Sequence, residues 1–115
     1  MINSRATEFQ RHVERMRPRF VAMLSKRLDR IEANIGRLDE ADRDVALEEI
    51  RFDIHKTAGA AAAFGFRELG KEAARTSRII MSGIPTPDGQ VSPDLVEEVK
   101  RFQSFLAEAL SDAAA

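Results

Sequence analysis

The 115-residue chain carries 18 basic and 19 acidic side chains, for a net charge of −1, and it contains no cysteine. This length is typical of one domain with one core, and the absence of thiols excludes structural disulfides and thiolate metal sites. Its short apolar runs are interrupted by charges, which predicts no membrane segment and no secretory signal and favours a cytoplasmic protein.

Basic and acidic side chains are unevenly distributed along the chain. Residues 1–38 hold nine basic and four acidic groups, whereas residues 39–54 hold two and seven. A basic first third can indicate nucleic-acid binding, but these charges are spread around the predicted helices. We therefore expect solvated helices here and no nucleic-acid partner.

The N-terminal segment is predicted to form a short leading helix. Within residues 4–16, apolar side chains recur at helical intervals, at Ala6, Phe9, Val13 and Met16. Pro18 suits the first turn of a new helix, because the N–H that it lacks would have no partner there. We thus expect residues 1–17 to form a leading helix. His12 has no second histidine or carboxylate cluster at ligand spacing, so no metal site is expected around it.

Two long amphipathic helices are predicted next. Over residues 19–38, one inward stripe is formed by Phe20, Leu24, Leu28, Ile31, Ile35 and Leu38. Asp39 or Asp42 is expected to cap the third helix. The residues that share the core face of that helix are Leu47, Ile50, Ile54, Thr57, Ala61 and Phe64. His55 then faces away from the core. Phe52 lies on the same side as His55 and contacts either a partner or the leading helix.

A glycine separates the third predicted helix from the fourth. Gly65 is expected to end the third helix as a left-handed cap. Residues 66–81 then form the fourth helix, whose inward side chains are Phe66, Leu69, Ala73, Thr76 and Ile80. Its other face is basic and is expected within reach of the His55 face, with Arg67, Lys71, Arg75 and Arg78.

The C-terminal third contains a loop and a last helix. Residues 83–92 include two prolines and an Asp-Gly pair, which predicts a loop. Ser92 and Pro93 suit the start of a final helix, whose apolar positions are Leu95, Val99, Phe102, Leu106 and Leu110. The predicted fold is all-α, an antiparallel four-helix bundle with a short additional N-terminal helix. We expect one domain over 1–115, with the bundle at 18–112 and a frayed tail at 113–115.

The most informative stretch is residues 55–65, where small side chains lie between His55 and Gly65. On a helix, Gly59 lies one turn after His55 on the same face, so the imidazole has no side chain beside it. Glycine in a helix interior costs about 1 kcal/mol relative to alanine. A glycine that is kept beside His55 despite this free-energy cost indicates that another molecule contacts the imidazole.

Together with Leu69 and Ala73 at further helical spacing, this pattern resembles the histidine phosphotransfer (HPt) domains of bacterial phosphorelays, over about residues 50–77. The resemblance implies that His55 carries a phosphoryl group between receiver-domain aspartates of a hybrid histidine kinase and a response regulator. It also implies that the receiver domain supplies Mg²⁺, while this chain has no cofactor or metal. The sequence lacks a glycine-rich phosphate loop and a kinase-type set of metal carboxylates, so we expect a phosphocarrier without autokinase activity.

Two positions depart from the pattern of the family. Ala58 stands where many members carry Lys or Arg, and Lys56 is the substitute cation. Ser77 stands where many members carry Glu or Gln. We expect Lys56, Gly59 and Ser77 to support the site, and we expect a partner to contact Phe52, Ala62, Ala63, Arg75 and Arg78.

Two other interpretations stay open. One is an HPt-like binding module that docks on a receiver or kinase as a regulator without carrying phosphate. The other is an unrelated helical bundle with an incidental histidine, which requires both matching glycines to be accidents. An acid-labile label on His55 would separate a carrier from a docking module. We expect the protein to be a monomer.

Overall fold

The computed structural model describes residues 4–83 and 89–114. In these residues the chain is all-α, which confirms the predicted class, and it has four α-helices and no strand. The helices are α1 (Ser4–Ile35), α2 (Arg43–Ala60), α3 (Arg67–Ser82) and α4 (Pro93–Ala114). A 3₁₀ segment, Ala61–Phe64, continues the chain directly after α2.

The helices pack around a common apolar core. Both α1 and α3 contact α2 and α4, so each helix has two neighbours. The largest fully buried side chains come from all four helices and include Phe20, Leu24, Ile31, Leu47, Ile50, Ile54, Leu69, Ile80, Val99, Phe102 and Leu106. These positions follow the helical periodicity of the sequence, since burial of one apolar stripe per helix stabilises such a packing.

The prediction of a separate leading helix is wrong, because α1 runs without a break through Pro18. Proline has no N–H to donate to the carbonyl of Glu14, but both residues are exposed, so water can reach that carbonyl. The buried residues Val13 and Phe20 lie on either side of the proline in one continuous stripe. Packing along this stripe outweighs the local preference of proline for a helix start.

The turn between α1 and α2 also differs from the prediction. The helix ends at Ile35 rather than Leu38, and residues 36–42 form turns. Asp42 occupies the N-cap position of α2, but its carboxylate makes no capping hydrogen bond. It accepts hydrogen bonds from the Arg37 guanidinium instead, which holds the pKa of the Asp42 carboxyl below its usual range. An ion pair across the turn thus replaces the expected cap.

Gly65 terminates the α2 segment as predicted. Its φ of 87° and ψ of 9° lie in the left-handed region, which favours glycine. The Phe66 N–H donates to the Ala61 carbonyl at 2.9 Å and the Gly65 N–H donates to the Ala62 carbonyl at 3.2 Å. This pair of bonds is a Schellman motif, which satisfies carbonyls at the helix end and reverses the chain into α3.

The start of α4 is confirmed and its end is longer than predicted. The Ser92 hydroxyl accepts a hydrogen bond from the Leu95 N–H at 3.1 Å, which is an N-cap. Of the predicted loop, Gly83 and residues 89–92 are non-helical, and residues 84–88 lie outside the described residues. Ala113 and Ala114 of the predicted tail belong to α4, in keeping with the high helix propensity of alanine. Ala115 lies outside the described residues.

Two arginines of α1 hold the back of α2. Arg30 binds the Asp53 carboxylate through two hydrogen bonds of 2.7 and 3.1 Å. One turn earlier, Arg27 donates to the Thr57 hydroxyl at 3.1 Å, and that hydroxyl donates to the Asp53 carbonyl at 2.9 Å. Arg27 is only 4% exposed, and its Nε has no hydrogen-bond partner among the described residues. Burial lowers the pKa of Arg27, an effect that the nearby Asp53 carboxylate opposes.

The Arg27–Thr57 bond predicts a specific response to mutation. We expect Thr57→Val to lower the free energy of unfolding by about 1–3 kcal/mol, because valine keeps the shape but leaves a buried guanidinium N–H without its acceptor. The double variant Arg27→Met/Thr57→Val should recover most of that loss, since both polar partners are then absent. Urea unfolding of the four proteins in a double-mutant cycle measures both effects. A Thr57→Val protein as stable as the wild type would contradict this assignment.

Candidate functional site

His55 lies on the exposed face of α2. The core-facing residues Leu47, Ile50, Ile54, Thr57 and Ala61 are all buried, whereas the His55 ring is exposed. Among the residues that the structure describes, none donates a hydrogen bond to the ring or accepts one from it. The prediction that His55 faces away from the core is therefore confirmed.

The glycine one turn after His55 leaves open space. A Cβ built on Gly59 would meet no atom within 4 Å, so this glycine is not required for helix packing. Gly70 on α3 is buried, and a Cβ there would lie at ordinary contact distance, 3.5 Å, from the Ala61 Cβ. Gly70 was not among the predicted core or site residues, although its position beside Leu69 on the inward face of α3 was a signal for packing against a neighbouring helix.

A shallow depression of about 520 Å³ lies between α2 and α3 at the His55 ring. Its six lining residues are Arg51, His55, Ser77, Arg78, Met81 and Ser82. Ser77 and Arg78 were expected near the site, and the structure brings both to the ring. Sequence reasoning missed Arg51, although a position four residues before His55 falls on the same helix face.

Arg51 is held by an acidic neighbour on its own helix. Its guanidinium donates to both carboxylate oxygens of Glu48, with the Nε to Oε2 distance at 3.0 Å. The hydrogen bond from Arg51 lowers the pKa of Glu48, and the same bond raises the pKa of Arg51. The Arg51 side chain is 22% exposed, whereas Glu48 is 55% exposed.

Lys56 and Phe52 form the opposite flank of the ring. The Lys56 Nζ lies 4.7 Å from the centroid of the Phe52 ring, a cation–π contact. Both residues line a second depression with Arg30, Glu48, Glu49 and Asp53, rather than the depression at His55. Phe52 is 54% exposed, so the alternative that it packs under the leading helix is wrong. The role of Lys56 as a substitute cation stays a prediction.

The remaining residues expected to bind a partner are divided between two surfaces. Ala62 and Ala63 are exposed in the 3₁₀ segment and continue the face of Gly59. Arg75 is directed to α4, where its guanidinium lies 2.5 Å from the Glu98 carboxylate. Its expected position on the His55 face is wrong, because an ion pair between α3 and α4 holds the side chain. Hydrogen bonds from Arg101 and then Arg75 lower the pKa of Glu98.

No group of three or more His, Cys, Asp or Glu side chains in 4–83 and 89–114 could hold a metal ion. Over the same residues, no helix is long and apolar enough to cross a membrane.

A family model described as "Hpt domain" matches residues 15–115. The chain belongs to the Hpt domain family. Hpt domains are phosphocarrier modules that act in histidine phosphotransfer, with receiver domains and histidine kinases as partners. Membership excludes the interpretation of an unrelated bundle with an incidental histidine. Neither a search of curated proteins nor a search of solved structures found a match of the required significance.

Two of the exposed glycines of this Hpt domain, Gly59 and Gly65, predict opposite effects on stability. Gly59→Ala should leave the free energy of unfolding unchanged or raise it by up to about 1 kcal/mol, because alanine favours the helix and meets no neighbour. Gly65→Ala should lower it by roughly 1–2 kcal/mol, because alanine is strained at positive φ.

The same two variants serve as mutual controls. The new Cβ at position 65 would also lie 2.8 Å from the Arg17 Nη1, which donates a hydrogen bond to the Phe64 carbonyl. Urea denaturation measures both proteins. Destabilisation by Gly59→Ala would mean that this glycine serves the fold rather than the site.

Proposed function

We propose that this Hpt domain is a phosphorelay phosphotransfer protein in which His55 carries a phosphoryl group between receiver-domain aspartates of a hybrid kinase and a response regulator. The observation that carries the proposal is the exposed His55 ring with empty space at Gly59. An imidazole in this setting is open to an incoming phosphorylated side chain. We also propose that residues 1–115 form one domain and that the protein is cytoplasmic.

We further propose that the four helices form an antiparallel bundle. The end of α1, at Ile35, and the start of α4, at Pro93 and Val96, line one cavity. At the other end, Arg17 of α1 lines a cavity with Phe105 and Ala109 of α4. This arrangement supports opposite directions for α1 and α4.

The transfer requires few groups from this chain. A lone pair on an imidazole nitrogen attacks the phosphorus of an aspartyl phosphate, the N–P bond forms, and the aspartate carboxylate leaves with the electrons of the P–O bond. In the onward step a second carboxylate attacks the phosphorus and the imidazole leaves. Such a reaction depends mainly on position and charge neutralisation. We propose that the receiver domain supplies Mg²⁺ and that this chain has no autokinase activity.

The exposed face of α2 is the proposed contact surface for the receiver. Phe52 provides an exposed aromatic ring on one side of His55, and Ala62 and Ala63 provide a flat continuation beyond Gly59. Small side chains let a partner backbone approach, and an exposed aromatic residue is typical of protein contact sites. Arg78 on α3 adds a cation at the opposite edge.

An HPt-like module that docks without carrying phosphate is the second candidate. One observation favours it: no described residue hydrogen-bonds to the His55 ring, so no protein group fixes its orientation or tautomer. Labelling of the purified protein separates the two candidates, because a docking module binds the receiver but gains no phosphoryl group.

We expect His55→Gln to abolish phosphorylation and to leave the fold intact, because the ring packs against none of the core. Wild-type and variant proteins are incubated with phosphoramidate as a small phosphodonor, and the acid-labile label is quantified beside the circular dichroism melt. His12→Gln is the matched control, since His12 is the other histidine and is also exposed. Normal labelling of the His55→Gln protein would mean that another residue accepts the phosphoryl group.

Gly59→Gln tests the proposed clearance. The new side chain enters the space beside His55, so we expect phosphotransfer from a receiver domain to fall by roughly tenfold or more, as for a partner excluded sterically. The thermal midpoint and labelling by phosphoramidate should change little. Receiver domains are first screened with wild-type protein, and Gly59→Ala is the control. Equal transfer rates for Gly59→Gln and the wild type would contradict the docking surface.

A further inference from the structure

The depression at His55 contains two guanidinium groups from different helices. Arg51 lies one turn before His55 on α2, and Arg78 lies on α3 across the depression. Arg78 makes no hydrogen bond or ion pair with any residue in the described part of the chain. None of the six lining residues is acidic, so the depression favours an anion.

A third polar group completes the floor of this depression. Ser77 is 7% exposed, and its hydroxyl makes no hydrogen bond within residues 4–83 and 89–114. The Ser77 oxygen is not among the buried side-chain atoms that lack a partner, so it is open to solvent at the depression that Ser77 lines. A ligand oxygen at His55 can take the place of solvent and accept a hydrogen bond from this hydroxyl.

We infer that Arg51, Arg78 and Ser77 form an anion seat that holds the phosphoryl group of phosphorylated His55, an inference that rests on the proposed function. Guanidinium groups bind phosphoryl oxygens through charge-assisted hydrogen bonds, and a hydroxyl can donate a further one. In this inference, the cations that neutralise the phosphoryl group lie on the side of the ring that faces α3. Lys56 lies in the other depression, over Phe52, and is outside the seat.

Glu48 competes with the phosphoryl group for Arg51. In the structure its carboxylate neutralises that guanidinium, but the Glu48 side chain is 55% exposed and the pair is between residues three apart on one helix. Such an exposed pair is weak, and a phosphoryl group with up to two negative charges is a stronger acceptor. Arg51 therefore exchanges Glu48 for the phosphoryl group when His55 is loaded.

The test measures the equilibrium labelling of His55 by phosphoramidate, using ³¹P NMR of the full chain. Arg51→Ala and Arg78→Ala should each lower the equilibrium constant for labelling by about threefold, the range expected for exposed charge pairs. Glu48→Gln should raise it, because Arg51 is released. Arg51→Lys and Arg78→Lys should each keep more of the labelling than the corresponding alanine variant, and high salt should reduce the differences between variants.

Arg67→Ala is the matched control, because Arg67 is an exposed arginine of the same helix that does not line the depression. It should label as the wild type does. If the wild-type protein is labelled and both arginine variants have the same equilibrium constant as the wild type, the anion seat alone is overturned. A wild-type protein that gains no label at all would overturn the proposed function and the seat together.

Discussion

The site depends on two contacts between α1 and α2, in which Arg30 binds Asp53 and Arg27 binds Thr57. Asp53 and Thr57 each lie two residues from His55, and on a helix such positions are about 160° around from it. Because Arg30 and Arg27 of α1 bind both of them, the residue between is directed to solvent. The same contacts that join α1 to α2 therefore set the direction of the imidazole.

These polar contacts matter because the second half of α2 has little else to orient it. Residues 57–63 carry only small side chains, whose burial gives weak directional preference. Earlier in the helix, Leu47, Ile50 and Ile54 are large enough to define a core face. Small side chains at the end of α2 and in the 3₁₀ segment let α3 pack against them, as Gly70 of α3 does at Ala61, and leave the outer face open at Gly59. The hydrogen bond from Arg27 to Thr57 holds α2 in one rotation about its own axis, although the side chains around Thr57 are small.

The sequence was sufficient where the signal was local and large. Apolar spacing predicted the core face of α2, and the glycine after that pattern predicted the left-handed cap at Gly65, because both follow from backbone geometry. Pro18 was misread because its effect was judged locally, whereas the buried stripe that carries α1 through it is a tertiary feature. Arg75 was misplaced for a similar reason, since its partner Glu98 lies on another helix.

The cation beside His55 shows how contact in space differs from contact in sequence. Lys56 is adjacent in the chain, yet one residue along a helix is about 100° around, and the side chain reaches the Phe52 flank instead. Arg51 is four residues away on the same helix face and lines the depression at the ring. The result is a site with two unlike sides: guanidinium and hydroxyl groups towards α3, and an aromatic ring with acidic neighbours towards α1. The phosphoryl group that we propose for His55 would be drawn to the first side, which leaves the second side for the apolar contact that we propose with the receiver domain.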